Sequence, residues 1–336
     1  MKTPKFGIAL VDKYFSPTEI IEYAILAEKK GFSSLWIPEH YGFANAVSVL
    51  ASLAVQTNQI KLATGIISPY TRHPVVIAMG MATVDLLSEG RVILGIGTGV
   101  RRWVEHHLNL DFGSPLTTIR ESVEIIKKLV AGESVSLQGK VFHLENIRLN
   151  LIPRGKIPIY IGAVGPSMLR LAGQIGDGAI LTAGSSPHYT RNAVKYIKEG
   201  AQRSKRDTTD FEIVSLLVTS VSKRAEEAIS AVKAVVTSLF SRPGRAEMMI
   251  PLKELDLESV DKIRNAVMKN RISEAFRYIT DEMVDAVTLS GTYDHCIQRL
   301  REYVSSGVTI PVLMPVHPHQ IQDVLDLIRG LDPSCL

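Results

Sequence analysis

Residues Asn58 to Gly99 read NQIKLATGIISPYTRHPVVIAMGMATVDLLSEGRVILGIGTG. Two apolar runs of strand length, IKLATGII and RVILGIG, frame this stretch. Neither shows the alternation of a sheet with one wet face, so both read as strands buried on two sides. Between them, Pro74 to Leu87 places Val75, Ile77, Ala78, Met81, Ala82 and Val84 at helical spacing, with Pro at the start and Ser-Glu-Gly as the stop. Strand, helix and strand in this order form one parallel βαβ unit. In such folds ligands bind at the carboxyl ends of strands, where loops vary freely and helix N-termini point their N–H groups. Here those ends read GIISPYTRH and GIGTGVRR. Gly65, Gly97 and Gly99 permit close approach of backbone to a ligand, and Thr98 adds a hydroxyl. Spacing alone fits ordinary glycine-bearing turns equally well.

The same grammar extends in both directions. Phe6–Val11 reads as the first strand, Pro17–Lys30 as an amphipathic helix stopped by Gly31, and SSLWIPEH as the second strand, with Glu39 and His40 at its carboxyl end. Ala44–Gln56 and Thr117–Ala131 read as helices, the latter with acidic residues early and lysines late. VSLQGKVFHLENIRL alternates around Gly139-Lys140 and reads as a hairpin. IPIYIGAVGPSMLRLAGQIGDGAIL repeats strand, glycine-bearing turn, helix and strand. Pro187–Ser204 is helical and FEIVSLLVTSVS is the seventh strand. Strand signals vanish from Ala225 to Asp285, which reads as a helical insertion. Tyr293–Ser305, IPVLMPV and Ile321–Leu331 close the chain as helix, eighth strand and helix. Eight strands alternating with helices, without a linker-like segment, predict an α/β fold, a (β/α)8 TIM barrel, as one domain over residues 1–336.

Composition narrows the function. With 46% hydrophobic and 21% charged residues the chain supplies a core and a solvated surface. The net charge of +4 suits an anionic small ligand, while the absence of a basic run argues against nucleic acid. Cys296 and Cys335 stand alone, far from any C-x-x-C spacing, and read as reduced thiols. No apolar run approaches the ~18 residues of a membrane span or forms a signal peptide, so a cytoplasmic protein is expected. The GIGTG turn lacks G-x-G-x-x-G spacing, and P-loop, G-x-S-x-G and H-E-x-x-H motifs are missing, which disfavours Rossmann, nucleotide-hydrolysing, serine-hydrolase and zinc-peptidase chemistry. No metal site is expected: His317-x-His319 lacks a third ligand in sequence. Arg101-Arg102 and His106-His107 follow the GIGTG turn and read either as anion contacts or as solvated surface. Glu39-His40 reads either as an acid/base pair or as a surface turn, and adjacent strand residues splay so that only one faces a barrel mouth.

Four long strings then resemble one family in the same order. WIPEHY (Trp36–Tyr41) resembles W-x-x-D-H-Y; TGIISPYTRHP, ATVDLLSEGRVILGIGTG and IPIYIGAVGPSMLRLAGQIGDGAIL resemble its next three motifs. The family is the bacterial luciferase-like superfamily, in its coenzyme F420-dependent branch, and the nearest pattern is that of the methylenetetrahydromethanopterin reductases. The resemblance implies an oxidoreductase that moves hydride from reduced F420 to a small-molecule substrate, most specifically reducing 5,10-methylenetetrahydromethanopterin to its 5-methyl form. The alternatives within the resemblance are an FMN-dependent monooxygenase and a non-catalytic cofactor-binding member. It further implies that Glu39, in place of the usual Asp, and His40 lie beside the deazaflavin ring. A non-prolyl cis peptide at Gly65-Ile66 would support the ring, Gly97 and Thr98 would contact the ring or its ribityl chain, and the N–H groups of Ala163, Val164 and Gly165 would take the phosphate. Homodimers or larger homo-oligomers are implied as well. One departure stands out: FGIAL places Ala9 where the reductases carry Glu, leaving Asp12 or Glu39 as the implied manager of the proton, beside His40.

Overall fold

The computed structural model describes residues 5–329. The chain divides into two compact units, one built on residues 7–180 and 195–212, the other on residues 181–194 and 213 onward.

The first unit carries parallel strands β1 (Gly7–Ala9), β2 (Ser34–Ile37), β3 (Lys61–Thr64) and β4 (Val92–Ile96), paired in that order. Helices α1 (Pro17–Lys29), α2 (Ala46–Ala54) and α3 (Pro74–Leu87) connect them. Local chemistry fixes the helix starts. Ser16 and Glu19 form a reciprocal capping box on α1, the Asn45 side chain accepts the Ser48 N–H on α2, and Pro74 opens α3. Past α3, Glu89 and Gly90 turn the chain through positive φ, so that Arg91 is delivered inward. Its buried guanidinium donates to the carbonyls of Ala54, Thr57, Ile60 and Ser88 and to the Thr57 hydroxyl, at 2.7–2.9 Å. One side chain thereby ties the end of α2 to the approaches of β3 and β4. The opening stretch is buried as its composition requires, β4 along its whole length and β3 after Lys61.

Beyond β4 lie α4 (Pro115–Val130) and an antiparallel hairpin of β5 (Val135–Gln138) and β6 (His143–Ile147). The connection is longer than the two residues read from Gly139-Lys140. The Glu121 carboxylate of α4 accepts the N–H groups of Lys140, Val141 and Phe142 at 2.7–3.0 Å and so spreads the turn over residues 139–142. A side chain at Gly139 would overlap that carboxylate. Strand β7 (Ile159–Ala163) pairs with β4, and α5 (Pro166–Ile175) leads to β8 (Gly178–Leu181).

After α6 (Pro187–Arg203), the second unit holds the long β9 (Glu212–Val221). Residues 225–285 are helical as expected: α7 (Ala225–Phe240), α8 (Arg245–Met249), α9 (Leu257–Met268), α10 (Ile272–Arg277) and α11 (Asp281–Val287). A three-residue strand, β10 (Leu289–Gly291), pairs with one side of β9 and was not legible, because three residues carry no period. Helix α12 (Tyr293–Ser305) precedes β11 (Ile310–Pro315), which pairs with the other side of β9. The last helix, α13, runs from Ile321 to Asp326, shorter than expected; Leu331 and Cys335 lie outside the described residues. Cys296 is a buried free thiol, pushed up to about 12 by its burial and then by the Asp285 carboxylate.

Candidate active site

The loops after β1, β2, β3, β4 and β7 all belong to the first unit, and they or the strand ends beside them carry every residue read as catalytic or cofactor-binding. The run IKLATGII does not continue as one strand. Strand β3 stops at Thr64, the Gly65-Ile66 peptide is cis, and pairing resumes at Ile67, whose N–H donates to the Gly95 carbonyl at 2.9 Å. The Glu39 N–H donates to the Ile66 carbonyl at 3.3 Å, so the end of β2 is fastened to this bulge.

Gly97, just past β4, and Gly162, in β7, both face this bulge. A Cβ on Gly97 would lie 3.2 Å from Ile66 Cγ1, and one on Gly162 would lie 3.1 Å from Ile66 Cγ2. The Ile66 side chain therefore packs back onto both bare positions, while its carbonyl accepts the Glu39 N–H. At Gly95 a Cβ would overlap the Thr64 carbonyl and approach Ile180 Cδ1 to 2.7 Å, so this glycine serves strand packing. Gly99 adopts φ +69° and is required for the turn itself. Thr98 is half-buried beside it, with its carbonyl accepting from the Ser68 hydroxyl at 3.3 Å.

Glu39 and His40 splay apart as neighbouring residues of an extended segment must. The Glu39 carboxylate accepts from the Arg72 guanidinium at 2.8 Å and from the Asn45 amide at 3.4 Å, with both members of the ion pair largely shielded from water. His40 turns to Asp12 instead, Nδ1 to Oδ1 at 3.4 Å. Asp12 is 3% exposed, and its second oxygen, Oδ2, is buried without a partner. Phe43 and Trp103 stand edge-on to the His40 ring, with centroids 6.3 and 6.2 Å away. Of the three residues read as acid/base candidates, the structure joins Asp12 to His40 and gives Glu39 a different partner.

Three members of this site were not singled out from the sequence. Arg72 lies inside the quoted TRHP string, and an arginine at a strand's carboxyl end opposite a carboxylate was the available signal. Asn45 falls inside the helix read as Ala44–Gln56, whereas α2 runs only from Ala46 to Ala54 with Asn45 as its cap, and nothing local told of its reach to Glu39. Trp103 lies in a π-helical turn, Trp103–His107, which no periodicity announces. In the same segment Arg101 pairs with Glu105 at 2.6 Å and lies over the Phe112 ring, while Arg102, His106 and His107 are exposed. His317 and His319 stand 5.2 Å apart, and no cluster of three metal-ligating residues occurs among the described residues.

Of these surfaces, the start of α5 is suited to an anionic group. The N-cap of α5 is Gly165, which has no side chain to bond the first turn and faces open space within 4 Å of its Cβ direction. An anion there meets backbone N–H groups and the positive end of a ten-residue helix. Ala163, Val164 and Gly165 form the approach to this helix end.

The family model of luciferase-like monooxygenases matches residues 3–309. The 5,10-methylenetetrahydromethanopterin reductase of Methanolobus tindarius is 35% identical over 318 residues, covering 94% of this chain and 95% of that protein. The reductase of the same name from Archaeoglobus fulgidus is 35% identical over 327 residues, covering 95% and 96%. Among solved structures, the coenzyme F420 dependent tetrahydromethanopterin reductase from Methanopyrus kandleri matches with a TM-score of 0.89 at 30% identity, over 97% of both chains. The fold class is the (β/α)8 TIM barrel, as the alternation of strands and helices predicts.

Proposed function

The chain belongs to the luciferase-like monooxygenase family, and from that membership we propose that it is a coenzyme F420-dependent oxidoreductase reducing 5,10-methylenetetrahydromethanopterin to the 5-methyl form. The observation that carries this reading is the 35% identity to two reductases of that name along nearly the full length of each chain. When bound, reduced F420 supplies the hydride, and the protein supplies position and proton control.

The residues divide that work. The Gly65-Ile66 main chain, Gly97 and Thr98 hold the ring region, and Ala163, Val164 and Gly165 present the α5 N-terminus to the phosphate. Glu39, locked by Arg72 and Asn45, forms a rigid polar wall beside the ring. His40 handles the proton: Asp12 holds Nδ1, so the proton exchanged with substrate is carried on Nε2, and Asp12 acts through His40. This arrangement answers the presence of Ala9, buried in β1, where a reductase-type carboxylate is missing. No helix among the described residues is long and apolar enough to cross a membrane. The buried reduced thiol of Cys296 suits a cytoplasmic compartment, and the family resemblance suits a homo-oligomer.

The test is direct. Purified protein is titrated separately with F420, FMN and NADPH by fluorescence, then assayed without oxygen for F420-linked reduction of methylenetetrahydromethanopterin. Selective F420 binding with turnover is expected. Preference for FMN together with oxygen consumption would overturn the assignment.

A further inference from the structure

Arg242 and Arg245 bracket a Pro-Gly pair in the connection between α7 and α8. The Arg245 N–H donates to the Arg242 carbonyl at 3.1 Å, and Gly244 sits at φ +71°, ψ −3°. Pro at the second position and a left-handed Gly at the third define a type II turn, which holds its two outer residues within ~7 Å of each other. One tight corner therefore carries an arginine at each of its two ends. The corner is seated on the loop that follows β8, because the Ser186 hydroxyl donates to the Met249 carbonyl and Leu239 packs against Gly184.

Arg242 is exposed and Arg245 half-buried, and the pair differs from the shielded arginines elsewhere. Arg72 pairs with Glu39, Arg170 with Glu199, Arg264 with Glu247 and Arg299 with Asp285 and Glu302, while Arg91 and Arg206 are satisfied by carbonyls. For Arg242 and Arg245 no carboxylate partner occurs among the described residues. Arg245 is half-buried, and its Nη1 is buried with no acceptor at all. Its guanidinium is pushed below the ordinary arginine range by burial first and by the neighbouring Arg242 charge second. A half-buried guanidinium with an orphaned donor, next to the exposed positive charge of Arg242, is costly unless an anion joins them. Loops at the carboxyl ends of parallel strands are also where such folds receive ligands.

We propose that Arg242 and Arg245 form a binding site for an oxyanion, a phosphate or carboxylate group, held bidentately by the paired guanidinium forks. The site is separate from the α5 N-terminus and rests on its own residues. The chemistry is shared by an anionic tail on the hydride acceptor, an anionic tail on the cofactor, and a free anion, and the assay below separates these sources.

Calorimetric titration and thermal unfolding with inorganic phosphate, against chloride at equal ionic strength, test the proposal on the whole chain. Wild type should show saturable binding and a phosphate-dependent rise in Tm. The double variant Arg242→Gln/Arg245→Gln should lose at least 10-fold in phosphate affinity. In phosphate-free buffer Arg245→Met should unfold no earlier than wild type, because it removes an uncompensated cation and leaves the Pro-Gly turn intact. In the double variant, a raised KM for the acceptor assigns the oxyanion to the substrate, and a raised Kd for F420 assigns it to the cofactor. Lost phosphate binding with both constants unchanged assigns it to a free anion. Absence of saturable phosphate binding in wild type, or equal binding by wild type and the double variant, overturns the site. Because F420 binding by wild type is measured separately, a failure here is distinct from a failure of the reductase assignment.

Discussion

Gly97→Ala separates stability from cofactor binding. The added Cβ would stand 3.2 Å from Ile66 Cγ1 and 3.3 Å from Cδ1, a few tenths of an ångström inside ordinary contact. Cδ1 is the mobile end of the side chain but Cγ1 is bonded to the stiff branched Cβ, and with an overlap of only a few tenths of an ångström the overpacking cost is about 1 kcal/mol. Gly97 has no positive φ, so alanine fits its backbone and restricts the unfolded chain, returning about 0.4–1 kcal/mol. The two effects nearly cancel, and the urea midpoint should stay close to wild type. Ile66, however, must move away from Gly97 and carry its main chain toward the ligand side. A loss of about 1.4 kcal/mol in F420 affinity corresponds to roughly 10-fold. Fluorescence titration with F420 reads that loss, and urea unfolding monitors the fold. An F420 affinity equal to wild type in a variant of unchanged stability would refute the role given to the bulge.

Gly95→Ala, two residues earlier on the same strand, should behave oppositely, because its Cβ meets the Thr64 carbonyl and Ile180; we expect little soluble protein, and recovery of a folded variant would contradict the packing described. Arg72→Leu leaves the Glu39 carboxylate shielded and without its charged partner, for a cost of about 1.5–3 kcal/mol; a double-mutant cycle with Glu39→Gln should recover a coupling term, and strict additivity would show that the pair contributes nothing. His40→Ala should lower kcat by about 100-fold or more with F420 binding intact, and Asp12→Asn should add little to it in the double variant, because the two act as one unit. Acid should destabilise the fold through Glu28 and Glu121. Burial raises each carboxyl, but three backbone N–H groups outweigh it and hold each below the ordinary range. Their native proton affinity is thus weaker than in the unfolded chain. The stability they contribute is present above about pH 4.3 and lost as pH falls through their native values. Urea midpoints from pH 6 to pH 3 should fall less steeply in Glu28→Gln than in wild type, starting from a lower value at pH 6.

Local chemistry in the chain was enough to determine where the elements lie. Helices Pro74–Leu87 and Tyr293–Ser305 run over the residues that periodicity and punctuation assign to them, because apolar spacing, an initial Pro and a terminal Gly act within a few residues. The same holds for the hairpin and the helical stretch before β10, whereas the cis peptide at Gly65-Ile66 is implied only by the family resemblance of TGIISPYTRHP. The residues of the site were legible as candidates for the same reason: they sit at strand ends. Their partners were not. Asp12 meets His40 from 28 positions away and Arg72 meets Glu39 from 33, across loops whose relative height depends on the register of neighbouring strands. Gly97 reads in sequence as a place for close approach of a ligand, and its Cβ direction, like that of Gly162, is faced by Ile66. Spacing along a chain reports the direction of a side chain within its own element. Which second element it meets is decided only when the strands are laid side by side, and there the tertiary structure turned Glu39 to an arginine and His40 to an aspartate.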